Sequence, residues 1–344
     1  MLADRHRLRQ RLRGLKGKPL DALVAQIEAS QQKMEQRRIN LPTPTYPEEL
    51  PVSERRAEIL KAIQENQVVI VAGETGSGKT TTLHSVLGHL NNSEKKIWTA
   101  EDPIEITQPG LRQVQINAKI GLDFAAAMRA FLRCDPDIIM VGEMRDSETA
   151  GMGIEASLTG HLVLSTLHTN SAAESITRLL DMDMDPFNFA DALIGILSQR
   201  LAKTLCPNCK RSYQPDDSEI LMLAHIYMAD MLPTNISDVE QKPYVDALIE
   251  EWRKSFSNQR KQFTFYKSTG CQECNDTGYR GRIGLHELLS ATPKIKQLIL
   301  SHSPASEIHR EALSAGMRTL KQDGIEKILQ GYLDLPNVRA VCIK

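Results

Sequence analysis

Residues 68–82 read VVIVAGETGSGKTTT, and this stretch decides the fold. Val68–Ala72 has the length and β-branched composition of a buried strand, and a glycine-rich turn and a helix-forming segment follow it. Gly73–Thr80, GETGSGKT, satisfies GxxxxGK[ST] in the strand–loop–helix context that the motif needs. Glycines at 73, 76 and 78 let the backbone curl until its N–H groups converge on phosphate oxygens at a helix N-terminus. Lys79 is then placed to bridge the β- and γ-phosphates, and the Thr80 hydroxyl to bind Mg²⁺. With Glu74, Thr75, Ser77 and Thr81, these residues make up the expected site for ATP.

Around this segment the chain alternates short apolar runs with longer helical ones. IWTA (97–100), DIIMV (137–141) and HLVLSTL (161–167) read as strands, and DFAAAMRAFLR (123–133) and AAESITRLLDM (172–182) as helices. Such alternation implies βαβ units, a mostly parallel sheet and an α/β fold. Catalytic groups in that architecture gather at the carboxyl ends of the strands.

A phosphate cradle hydrolyses nothing without a carboxylate for Mg²⁺ and a group to orient or deprotonate water. Two acidic clusters sit at strand ends: TAEDPIE (99–105), with Glu101 and Glu105, and DPDIIMVGEMRD (135–146), with Glu143 just after IIMV. TGHLVLSTLHTN (159–170) adds His161 and His168 on either side of another buried strand, suited to sensing the γ-phosphate or a neighbouring subunit.

Cys206 and Cys209 lie in LCPNCKRSY, and Cys271 and Cys274 in GCQECNDTGYRGR. Two CxxC turns of this kind supply four thiolates for a closed, structural Zn²⁺ site. The long gap between the pairs adds only a slowly growing loop-closure penalty. Cys134 and Cys342 have no such partners. From LHELLS (285–290) through KIKQLIL, ASEIHREALSA and GIEKILQG the remainder reads as a small helical bundle.

The chain has 344 residues, 41% hydrophobic content and a formal net charge of -1, so more than one core is expected and bulk charge does not point to nucleic acid. Its apolar stretches are far shorter than the roughly 20 residues that span a bilayer. The basic start, MLADRHRLRQRLRGLKGK, lacks the apolar core of a signal peptide. These features imply a cytoplasmic protein with no direct membrane insertion.

Taken in order, GETGSGKTTTL, TAEDPIE, DPDIIMVGEMRD, TGHLVLSTLHTN and the paired cysteines resemble the type II secretion and type IV pilus assembly ATPases. In that family they correspond to the Walker A, Asp box, Walker B and His box, with a tetracysteine zinc module behind them. The resemblance runs from about Thr80 to the C-terminus, through GYRGRIGLHELL and GMRTLKQDGIEKILQG. It implies a RecA-like P-loop core, with Lys79 and Thr80 on phosphate and Mg²⁺ and Glu143 as the Walker B carboxylate. Glu105 is favoured as catalytic base, with Glu101 the alternative, and His161 and His168 match the two histidines of the His box. The family further implies a homo-hexamer that drives pilin or pseudopilin movement through an inner-membrane platform protein.

Upstream of the loop the chain resembles a different family. TYPEELPVSERRAEILKAIQENQVVIVAGETGSGKTT (45–81) is similar to the start of bacterial DEAH-box RNA helicases, and Glu74 follows the helicase form where the secretion family usually has proline. Secretion ATPases carry a folded domain of roughly a hundred residues before the P-loop, where a basic helical lead-in is expected here. The domains are therefore read as a lead-in (1–66), a RecA-like P-loop ATPase domain (67–203), a tetracysteine zinc module with an insertion (204–283) and a C-terminal helical subdomain (284–344). Arg5 to Lys18 raises a second reading, a nucleic-acid-binding P-loop ATPase with steep salt dependence, and the meeting of two family patterns raises a third, a fusion that folds but turns over little ATP.

Overall fold

The strands that carry the motifs are apolar on both faces, so each face must be covered. A computed structural model describes residues 68–232, 236–258 and 261–342; the expected lead-in (1–66) lies outside the described residues. The chain runs β1 (Val68–Ala72), α1 (Lys79–Leu90), β2 (Ile97–Glu101), β3 (Arg112–Gln115), α2 (Phe124–Phe131), β4 (Ile138–Val141), α3 (Ser147–Leu158), β5 (Leu162–Leu167), α4 (Ala172–Leu180), α5 (Pro186–Ala192) and β6 (Leu193–Leu205). It continues through β7 (Lys210–Tyr213), α6 (Asp217–Met228), α7 (Asp238–Phe256), β8 (Phe265–Ser268), β9 (Tyr279–Ser290), α8 (Pro293–Leu300), α9 (Ala305–Ser314), α10 (Leu320–Leu329) and α11 (Leu335–Cys342). Among the described residues no helix is long and apolar enough to cross a membrane.

Seven strands form one sheet in the order β3-β2-β4-β5-β1-β6-β9. All its pairs are parallel except β6 with β9. Strand alternation divides the side chains between two cores. Val69 and Val71 of β1 join Leu83, Val86 and Leu87 of α1 on one face. Val68, Ile70 and Ala72 face the opposite layer, with Met128, Phe131, Ile176 and Phe189. A third core lies at the far end, where Tyr227 and Trp252 of α6 and α7 meet Phe265, Ile283, Leu285, Ile325 and Val338.

That third core changes the expected domain division. Leu285–Ser290, read as the first helix of a C-terminal bundle, is part of β9, which pairs antiparallel with β6 from Gly195↔Ser290 to Leu205↔Tyr279. The helix preference of Leu and Glu is a weak prior that tertiary pairing overrides. Here the free edge of β6 supplies the pairing, and Ile283, Leu285 and Leu289 are buried in it. The boundary at 284 thus falls inside a strand, and residues on both sides of it share one core. β3 and the long β6 were also not anticipated as strands.

Glu287 of β9 locks this junction. Its carboxyl is 3% exposed and accepts from the Ala172 N–H at the start of α4, at 2.8 Å, and from the Leu320 N–H at the start of α10. Burial outweighs these donors and pushes its pKa from 4.5 to about 7. A carboxyl raised in the folded state favours folding fully below its unfolded pKa, and that contribution is lost as pH climbs through the folded value. Glu287→Gln should therefore gain Tm relative to the unsubstituted protein as pH rises from 5 to 8. Thermal unfolding at several pH values checks this; a difference in Tm independent of pH would overturn it.

Candidate nucleotide and metal sites

β1 lies between β5 and β6, so the turn that leaves it emerges inside the sheet's carboxyl edge, flanked by a strand on each side. Gly73, Gly76 and Gly78 have φ of 150°, 82° and 83°, values that glycine adopts without the steric cost a Cβ would bring. A Cβ at Gly73 would lie 2.4 Å from the Gln199 carbonyl oxygen, which shows how tightly the loop is pressed on β6. Gly78 caps α1 with no side-chain bond, whereas Asp123, Asp146 and Ser171 cap α2, α3 and α4 with their side chains. The first-turn N–H groups of α1 are left to an anion.

Two further features fit a phosphate. Lys79 Nζ is buried and donates to the Gly73 and Glu74 carbonyls at 2.6 and 3.1 Å. Burial holds its pKa below 10.5, against the opposing pull of the Glu143 carboxylate. Ser77 Oγ is buried in the loop and bonds to no described residue, a cost that a ligand oxygen would remove.

Glu143 arrives from β4, whose end is tethered to β5: Ser165 Oγ donates to the Val141 carbonyl at 2.9 Å and Thr166 Oγ1 to that of Gly142 at 2.5 Å. Its carboxylate accepts from Arg145 Nε at 2.6 Å and pairs with His168 Nε2 at 3.2 Å. A carboxylate only accepts, so His168 donates from Nε2 and offers Nδ1 to the Thr75 hydroxyl, 3.5 Å away. His168 thus spans the P-loop and the end of β4.

The other expected residues separate. His161 precedes β5, whose six residues put about 20 Å between the two histidines. It bonds the Ala156 carbonyl at 2.8 Å, so within one chain it is not at the phosphate site. Glu101 is 3% exposed and receives Thr99 Oγ1 at 2.5 Å, Gln113 Nε2 at 2.9 Å and His84 Nε2, on α1, at 3.1 Å. Burial alone would push this carboxyl up, but the three donors together hold it below 4.5. Glu105 is exposed, on a loop that leans on α1 through Gln108 Nε2 and the His84 carbonyl, at 2.8 Å. Thr80 and Thr81 lie on the first turn of α1.

Several residues at the site carried no signal in the sequence reading. Gln199 and Arg200 are successive residues of β6 and point to opposite faces. Gln199 bonds the P-loop and α1. Arg200 donates to Glu74 and Asn170 at 3.4 and 3.3 Å and to the Val341 carbonyl of α11 at 2.5 Å. Glu74, which departs from the secretion pattern, therefore has a cation opposite it. Arg145 was legible only as a neighbour of Glu143.

The four cysteine sulfurs lie within 4.8 Å of one another. Cys206–Cys271 and Cys209–Cys274 are 3.9 Å apart and Cys271–Cys274 3.6 Å. A tetrahedral ion with metal–sulfur bonds of about 2.3 Å requires edges of about 3.8 Å, so the cluster fits zinc. The Cys271 and Gly278 N–H groups donate to Cys274 Sγ at 3.2 and 3.3 Å, the second layer of bonds that orients metal ligands. Cys134 is exposed, and neither it nor Cys342 joins the cluster.

Residues 35–340 match the family described as "Type II/IV secretion system protein". The match begins well before Thr80, the point from which the sequence resemblance to this family is expected to start. Among known proteins, the chain is 44% identical over 271 residues to the type IV pilus assembly ATPase PilB of Myxococcus xanthus, covering 79% of this chain and 43% of that protein. It is 42% identical over 276 residues to the type II secretion system ATPase E of Vibrio cholerae, covering 80% and 48%. The chain thus spans less than half the length of these two relatives. Among solved structures it resembles the pilus retraction motor PilT with bound ADP, at a TM-score of 0.56 and 25% identity over 86% of this chain and 68% of that one. The ATPase DotB of Legionella pneumophila shares the fold, with a TM-score of 0.54 and 23% identity over 83% and 62%.

The pairing of Glu101 with His84 yields a stability test. A carboxyl depressed in the folded state contributes above its unfolded pKa, and the contribution is lost as pH falls through the folded value. His84→Ala should cost about 1–3 kcal/mol at pH 7, because it leaves a buried acceptor short of a donor, and should move the onset of acid unfolding to higher pH. Urea denaturation at pH 7 and an acid titration of both proteins measure this; unchanged curves would make the contact energetically empty.

Proposed function

The chain belongs to the Type II/IV secretion system protein family, and from that premise we propose that it is an ATP-hydrolysing motor coupled to pilin or pseudopilin assembly or to protein export. The observation that carries the reading is the P-loop itself: an uncapped helix N-terminus, a buried lysine that donates to loop carbonyls and a Ser77 hydroxyl with no partner among the described residues, with Glu143 at a nearby strand end. The ADP bound to the similar retraction motor PilT supports nucleotide binding by a chain of this fold.

In this reading Lys79 and the loop N–H groups stabilise charge on the transferring phosphoryl group. Mg²⁺, held by Thr80 and Glu143, would neutralise further charge on the phosphate oxygens. His168, between Thr75 and Glu143, reports whether the loop is filled. Glu105 takes the role of base: it is exposed and has no bond to any described residue, whereas Glu101 is fully engaged by three donors. His161, at the other end of β5, faces a neighbouring subunit of a homo-hexamer. That hexamer works at the cytoplasmic face of the inner membrane through a platform protein, and the cysteine cluster holds a structural zinc ion.

Lys79→Ala should abolish ATP turnover with the fold intact. Glu105→Gln should lower kcat by about two to four orders of magnitude, with nucleotide affinity little changed. Steady-state turnover with equilibrium nucleotide binding measures both. Near-normal turnover in Lys79→Ala would sink the ATPase reading; near-normal turnover in Glu105→Gln would return the base to Glu101.

Zinc should co-purify at about one ion per chain, and Cys271→Ser should lose it and loosen the region around β7, β8 and the start of β9, since metal binding and local folding are coupled. Elemental analysis and limited proteolysis provide the measurement. Protein prepared under reducing conditions without zinc would reject the site.

A further inference from the structure

Resting on the phosphate-binding reading above, we propose that Gln199 is a positioning residue that sets the P-loop for phosphate before any nucleotide arrives. β6 runs parallel to β1 with Ala72 opposite Ser198, so Gln199 stands one step beyond the end of β1, level with the start of the loop. Its side chain is buried, at 3% exposure, and both ends of its amide are engaged. Nε2 donates to the Ser77 carbonyl at 2.7 Å, and Oε1 accepts from Thr82 Oγ1 at 2.7 Å. One planar amide therefore joins the loop to α1.

The consequence follows from peptide geometry. The Ser77–Gly78 unit is planar and trans, so its C=O and N–H point in opposite directions. Holding the Ser77 carbonyl against β6 turns the Gly78 N–H the other way, toward the free N-terminal end of α1, and that N–H donates to no described residue. Gly78 sits at φ 83° and ψ 16°, and a Cβ there would come within 3.0 Å of Gln199 Nε2. The Gln199 amide occupies the space a side chain would need, so bond and glycine select the same loop conformation. Donors aimed in advance need no reorganisation when charge arrives, which is the source of their strength. Thr82 fixes which end of the Gln199 amide faces the loop, because a hydroxyl already bonded to Oε1 leaves Nε2 for Ser77.

Gln199→Glu tests this without changing shape: it keeps the acceptor for Thr82 but sets an oxygen against the Ser77 carbonyl. Gln199→Met removes both bonds and adds no charge, and Thr82→Val removes only the hydroxyl that orients the amide. Binding of ADP, ATP and adenosine is measured calorimetrically, with Tm and zinc content as controls for folding. The two Gln199 variants should lose at least tenfold in affinity for ADP and ATP, and Thr82→Val a smaller factor in the same direction. Adenosine, which has no phosphate, should bind each variant as it binds the unsubstituted protein. KM for ATP should rise more than kcat falls. Folded Gln199 variants that bind ADP within twofold of normal would overturn the proposal, as would equal losses for adenosine and ADP. If neither Gln199 variant folds, Thr82→Val decides, and unaltered ADP binding there overturns the proposal too. Should the unsubstituted protein bind no ADP, the nucleotide reading fails first and this role falls with it.

Discussion

The structure depends on the seam between β1 and β6. β1 is the strand from which the P-loop springs, and β6 is the surface against which the loop is shaped; a single Cβ at Gly73 would collide with it. The constraint is steric and it acts in both directions. Parallel pairing from Val68↔Leu193 to Ala72↔Ser198 places β6 beside the loop, and the requirement for close approach dictates glycine there. Once this seam is set, α1 has a fixed starting point, and Val69 and Val71 have a fixed helix to pack on.

β6 also leads away from the phosphate site. Its thirteen residues run past the loop and end directly before Cys206, so about 23 Å of extended strand joins Gln199 to the first cysteine of the cluster, at about 3.3 Å per residue. β9 returns along it, beginning just after Cys274. The two CxxC turns thus close the open end of the β6–β9 ladder. A metal ion there would cross-link the two strands where they would otherwise fray, and the inserted helices α6 and α7 cover the adjoining core. Arg200 adds a polar link between the P-loop, the loop after β5 and α11. The P-loop and the C-terminal region therefore share a strand and a hydrogen-bond network.

Burial and the number of donors set how firmly each acidic residue is held. A buried carboxylate satisfied by several donors is stabilised in its charged form and tied to structure; Glu101 is of this kind. Glu287 is the contrasting case, with too few donors to outweigh its burial. Glu143 lies between these limits, partly exposed and engaged by the side chains of Arg145 and His168. Glu105 is exposed and has no partner among the described residues. Four glutamates of the same intrinsic acidity meet different surroundings, assembled from distant parts of the chain.

The sequence by itself determined the P-loop, its strand and helix, the parallel core strands β2, β4 and β5, and the four-cysteine cluster. These signals are local: glycine spacing, the length of an apolar run and the CxxC turn are each set within a few residues. Only the tertiary structure decided that LHELLS is a strand, because the edge of β6 that pairs with it comes from ninety residues away in the chain. It also decided that His168, and not His161, meets Thr75 and Glu143, since those partners come from the ends of other strands. Gln199 and Arg200 were illegible beforehand for the same reason. Their partners are 77, 82, 74, 170 and 341, and no local rule of spacing links such positions until a parallel sheet brings them to one edge.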